Sequence, residues 1–258
     1  MKRFWETALA VPRLEGGFGV VLDGRPLRLP GGLILATHSP TLAEAIAAEW
    51  QAAGGAKGGE MRMDDVPLTR LLGTAQERIA PDPEPMIEGI TKYGETELLC
   101  YRAEDHRLAA RQAEAWQPLL EWAALALDAP LRITQGLMPV PQAPESLAAL
   151  RNTVARHDTA GLAALGLAVP ALGSLVLALA LSLGRLNAEA APEFLLKNLI
   201  QNRQFMRRFG VQPAHELAVL DEVFQEEFWG RDAEAEARRA NRLAELQLAE
   251  RFMGLVAG

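Results

Sequence analysis

Between Leu220 and Gly230 the chain reads Leu-Asp-Glu-Val-Phe-Gln-Glu-Glu-Phe-Trp-Gly. Asp221, Glu222, Glu226 and Glu227 crowd four carboxylates into this stretch, with Gln225 between them. Such a cluster has two chemical uses. Paired carboxylates can act as general acid and base, and grouped oxygen ligands can hold a hard cation. The bland alternative is a solvated acidic helix face. Phe224 and Phe228 lie one helical turn apart and share a face with Leu220, which reads as a core stripe. Trp229 ends the run beside these charges, and an aromatic in that setting is typical of an interface anchor.

Other groups with reactive potential do not converge in sequence. His38, His106, His157 and His215 are far apart, and none belongs to a His-Glu-x-x-His pair. His157 and Asp158 are adjacent and would point to different helix faces, which suits a surface or capping role. Cys100, the only cysteine, lies in Leu-Leu-Cys-Tyr, an apolar setting for an inert buried thiol. It leaves no partner for an intrachain disulfide and points to a reducing compartment. A Gly-x-Ser-x-Gly elbow is missing. The glycine-rich stretch Gly54–Gly59 lacks the Lys-Ser/Thr ending and preceding strand of a phosphate loop, so it reads as a linker.

The elements that would position these residues fall into two sets. Residues 17–30 alternate around Asp23-Gly24, a hairpin signal, and Leu33 to Ala36 offers a further short strand. Ser39-Pro40 opens a helix with Ser39 as its cap. Leu42, Ile46, Ala47 and Trp50 fall on its apolar side, and Glu44 and Glu49 on the other. Helices are then expected over 67–79, 83–93 and 106–127, and from Ser146 nearly everything reads as helix. Leu98 to Tyr101 could be a strand or a buried turn. The fold expected is α+β: a small N-terminal α/β domain, residues 1–62, and a larger, mainly helical domain, residues 63–258.

Composition narrows the partners. The chain has 258 residues, 49% of them apolar, and a net charge of −7. It can bury a sizeable core, and it lacks the concentrated basic face that nucleic acid requires. Its N-terminus carries no apolar run of the secretory kind and no Arg- and Ser-rich presequence. Thr159 to Gly184 holds no charged side chain and is long enough on paper to cross a bilayer. Pro170 and Gly173-Ser174 cut it into two pieces of buried-helix length, and core helices are the better reading.

Taken together, several phrases resemble the Atp12 family of F1 ATP synthase assembly chaperones. They are Leu22-Asp-Gly-Arg-Pro26, the Leu42–Trp50 helix, Pro67-Leu-Thr-Arg-Leu71, and Tyr93 through Ala103. Further along come Arg111-Gln112 with Trp116 and Trp122, Gly173 through Leu181, and Leu220-Asp-Glu with Gln225, Glu227 and Trp229-Gly230. The resemblance implies a chaperone and not an enzyme, one that uses no cofactor. It binds the free α subunit of F1 and shields it from aggregation until it pairs with β. It implies a location in the bacterial cytoplasm, or in the mitochondrial matrix for an organellar form, without stable membrane insertion. Glu222, Gln225, Glu227 and Trp229 match the family's C-terminal acidic motif and become the candidate partner-binding residues. The alternative from another class is a small metal- or carboxylate-dependent hydrolase built on Asp221–Glu227.

Residues 192–213 stand apart from their surroundings. The segment has no alanine, is basic within an acidic chain, and holds three of the eight phenylalanines. It reads either as an insertion or as an extra helix of a divergent member, with Gly210 as a C-terminal stop.

Overall fold

The computed structural model describes residues 1–184 and 210–258. The chain forms two compact units, one of residues 1–84, 158–164 and 248–258, the other of residues 85–157 and 165–247.

The first unit starts with strands β1 (Ala8–Pro12), β2 (Phe18–Leu22) and β3 (Arg25–Pro26), an antiparallel sheet in that order. Asp23 and Gly24 close the β2–β3 hairpin with φ of 47° and 78°, the paired positive values that match the twist of the flanking strands. The strand expected near Leu33 is reduced to isolated bridges, Arg28 to Ile34 and Phe18 to Thr37. Helix α1 (Pro40–Ala52) is capped by Ser39, whose hydroxyl accepts from the Leu42 N–H at 3.1 Å. It lays Leu42, Ile46 and Trp50 on the sheet against Val20 and Leu22, all buried. The Trp5 indole donates to the Trp50 carbonyl, and the Trp50 indole donates to Thr69.

Glu49 corrects the expectation that it faces solvent. It leans toward α2 (Pro67–Thr74) and accepts from the Leu68 and Thr69 N–H groups at 2.9 and 3.3 Å. Those are unsatisfied donors of a first helical turn, the natural targets of a carboxylate. A π-turn then carries the chain to Ile79.

The second unit is helical apart from a two-residue parallel pair. It contains most of α3 (Glu84–Thr91), then β4 (Tyr101–Arg102), α4 (His106–Ala126), β5 (Thr134–Gln135) and α5 (Pro144–Ala155). Leu98–Cys100 is a 3-10 turn that leads into β4, so the ambiguous apolar run is a turn and a strand in succession. The uncharged run becomes α6 (Thr159–Leu172) and α7 (Leu175–Leu183), broken at Gly173, whose φ is +63°. Leu175 through Leu181 are buried without exception, as expected of a helix that is apolar all round. Among the described residues no helix is long and apolar enough to cross a membrane.

The chain resumes at Gly210, the N-cap of α8 (Val211–Ala218), followed by α9 (Leu220–Trp229) and α10 (Ala233–Ala257). Residues 192–209 of the segment singled out above lie outside the described residues, as does the helix that Gly210 was expected to stop.

Candidate partner-binding site

All the acidic and aromatic candidates sit on α9, and the helix divides them between two faces. With about 100° of rotation per residue, Phe224 and Glu227 point one way while Glu222, Gln225, Glu226 and Trp229 point the other.

The first face rests on α4. Phe224 is buried and its ring lies 5.1 Å from that of Phe228. Phe228 was expected to extend the core stripe, but it is 52% exposed and carries the Arg107 guanidinium 4.7 Å from its ring centre. Arg111 lies 5.1 Å over Phe224 and forks onto Glu227, Nη1 to Oε1 at 2.6 Å and Nη2 to Oε2 at 3.1 Å. That pairing holds the Glu227 carboxyl below its usual range and raises the Arg111 guanidinium.

Deeper in, Gln112 spends both ends of its amide. Its oxygen accepts from the Ala103 N–H, and its nitrogen donates to Asp221 at 2.8 Å. Burial raises the Asp221 carboxyl, with the Gln112 hydrogen bond opposing. The Trp116 indole donates to the Leu217 carbonyl at 3.0 Å, tying α4 to the end of α8.

The second face meets α10. Arg239 donates to Glu226 at 2.5 Å and to Glu222 at 3.5 Å, and Arg242 donates to Glu222 at 2.6 Å. Only 11% of the Arg239 side chain is exposed. The buried His215 ring donates its Nε2 proton to the Arg239 carbonyl at 3.1 Å, and burial lowers its basicity. Between the two helices lies a cleft of about 670 Å³ lined by Glu222, Gln225, Trp229, Arg238, Asn241 and Arg242, among others. Trp229 stands at its edge with 85% of its surface exposed, and Gln225 is also exposed. Gly230, at φ +83°, makes the turn that reverses the chain from α9 into α10.

The structure therefore brings three of the four candidate residues, Glu222, Gln225 and Trp229, together in one cleft and sends Glu227 to the α4 side. Arg107, Arg239 and Arg242 are the residues missed by sequence reasoning, and Arg111 was noted only as part of the family resemblance, not as a partner of Glu227. Each carboxylate of Glu222, Glu226 and Glu227 is taken by an arginine, and no group of three His, Cys, Asp or Glu among the described residues could hold a metal ion. Cys100 is buried and its thiol is pushed up to about 12, by burial first and by the nearby Glu97 second. His157 caps the end of α5, its Nδ1 near the Thr153 and Val154 carbonyls and its Nε2 on Ser182, and Asp158 accepts from the Gly161 N–H. Neither faces the cleft.

Comparison with known proteins gives these features a context. Residues 2–124 match the family model described as ATP12 chaperone protein. The mitochondrial protein atp12 of Schizosaccharomyces pombe is 27% identical over 228 residues, covering 84% of this chain and 76% of that protein. The crystal structure of Atp12 from Paracoccus denitrificans superposes with a TM-score of 0.81 at 42% identity, covering 99% of this chain and 98% of the other. A candidate chaperone from Agrobacterium tumefaciens superposes at 0.80 with 34% identity, covering 98% and 85%. The family model ends before α9, but the structural matches run almost the length of the chain and include it.

Proposed function

Since this chain belongs to the ATP12 chaperone family, we propose that it serves F1 ATP synthase assembly by holding the free α subunit until that subunit pairs with β. The observation that supports this most is Trp229, an almost fully exposed indole at the edge of a cleft whose walls are fixed by ion pairs. Exposed aromatics on a rigid frame are how interfaces anchor a partner. An unassembled subunit exposes an apolar interface that aggregates, and a holding chaperone meets it with a complementary surface. Glu222, Gln225 and Trp229 are assigned to that surface, in the bacterial cytoplasm or the mitochondrial matrix, wherever F1 is assembled. The rival hydrolase reading asks for convergent carboxylates free to move protons, whereas Glu222, Glu226 and Glu227 are each paired with arginine and Asp221 is held by Gln112.

The test is co-expression with the F1 α subunit in the absence of β. The expected result is that α stays soluble and co-purifies with this chain. Glu222→Lys or Trp229→Ala should reduce the recovered α while circular dichroism shows a retained helical fold. If α aggregates equally with and without the protein, the proposal is wrong.

A further inference from the structure

Glu227 and Trp229 are only two residues apart, yet about 160° separates them around the helix axis. A contact at Glu227 therefore reports on how α9 is rotated, not on what enters the cleft. Three side chains from α4 hold that rotation. Arg111 forks onto Glu227 and covers Phe224, Arg107 covers Phe228, and Gln112 holds Asp221. A two-point guanidinium–carboxylate fork fixes orientation as well as distance, which a single-point ion pair does not. Turning α9 by one residue would swing Trp229 about 100° away from the cleft edge.

We infer that Arg111, with Arg107 beside it, is a positioning residue for partner binding. It sets the rotation of α9 through Glu227, Phe224 and Phe228, and so sets how Trp229 and Gln225 are presented. Glu227 acts through Arg111 and does not itself touch the partner. The inference rests on the reading that α9 binds the α subunit.

A charge swap tests it. Arg111→Glu, Glu227→Arg and the double variant are each co-expressed, full length, with α alone, and the recovered α is measured. Leu150→Ala, a cavity in α5 at a fully buried residue, serves as a destabilised control that leaves α9 untouched. Each single variant should retain roughly five- to tenfold less α, and the swap should recover it to within about twofold. Leu150→Ala should retain α normally despite a lower Tm. If the reversed pair distorts the fold, Arg111→Lys and Glu227→Gln are the gentler forms, each expected to lose about threefold.

A folded double variant as weak as the singles would place Glu227 against the partner and overturn the inference. So would unchanged retention in Arg111→Lys and Glu227→Gln. If Leu150→Ala loses α as steeply as Arg111→Glu at a matched Tm, the arginine is merely structural. Failure of the unmodified protein to retain α would instead remove the underlying reading of α9.

Discussion

Glu97 and the acidic face of α9 show two ways of placing carboxylates in one helical unit. Glu97 is fully buried and, among the described residues, meets no cation. It accepts from the Ser174 hydroxyl and from the N–H groups of Leu99, Leu175 and Val176, the last two in the opening turn of α7. On α9, Glu222, Glu226 and Glu227 sit nearer solvent, and each is held by guanidinium groups from another helix. Buried hydrogen bonds of the first kind have no water to replace them, so losing one partner leaves donors stranded. Ion pairs of the second kind run from half-exposed, as at Arg111–Glu227, to largely buried, as at Arg239–Glu226. The exposed ones are individually weak, and all fix orientation. The first carboxylate holds the fold, and the others aim a surface.

The sharpest way to break this contrast is Glu97→Ala. It strands the N–H groups of Leu175 and Val176 at the start of a helix buried on every side and opens a cavity. We expect a loss of about 3 kcal/mol, read as a lower midpoint in urea. A loss under about 1 kcal/mol would mean that the neighbouring hydroxyl of Ser174, already the α7 cap through Leu177, does the holding alone.

Arg239→Ala should act more locally. It strips Glu226 of its guanidinium partner and leaves Glu222 with Arg242. Residues 233–245 of α10 are mostly solvent-exposed, so little apolar packing is available to hold them once that pair is gone. Amide exchange over 233–245 should quicken about tenfold, with exchange in buried α7 unchanged. Equal quickening in both helices would show the ion pairs to be part of the core's cooperativity, and the contrast would fail.

Local signals in the sequence accounted for the frame. Asp23-Gly24 marked the hairpin, Ser39-Pro40 the start of α1, and Gly173-Ser174 the break between the two apolar helices, because each is a backbone demand met by a residue type. The division at residue 62 follows the glycine-rich linker and the helical pattern beyond it, whereas the compact units follow contacts that join residues distant in sequence. Periodicity also placed Phe224 correctly but misjudged Phe228 and Glu49, since it assigns a face without saying what covers that face. Phe228 is roofed by Arg107 and Glu49 by the start of α2. Glu97 carried no signal at all. Apart from the nearby Leu99 N–H, its partners lie 77 to 79 residues away, and nothing in Thr-Glu-Leu-Leu-Cys foretells those. The same holds for the candidate site, where the acidic and aromatic residues were visible but their pairing with arginines from α4 and α10 was not.

The smallest effect is one of sign, and it follows from the same two environments. Burial pushes the Glu97 carboxyl above the ordinary glutamate value of 4.5, with the hydrogen bonds from Ser174 and the three N–H groups opposing. The folded chain therefore binds that proton more tightly than the unfolded chain. Its contribution to stability is full below pH 4.5 and falls as pH rises through the raised folded value. Glu227 runs the other way. Its carboxyl is lowered by Arg111, so its contribution is present above pH 4.5 and disappears as pH falls through the lowered folded value. Glu97→Gln removes the first dependence and leaves the second. From neutral pH down to pH 4.5 the urea midpoint of the unmodified protein should rise relative to that of Glu97→Gln as acid is added. A difference that stays constant across the range would mean that Glu97 titrates alike in the folded and unfolded chain, and that its hydrogen bonds fully offset its burial.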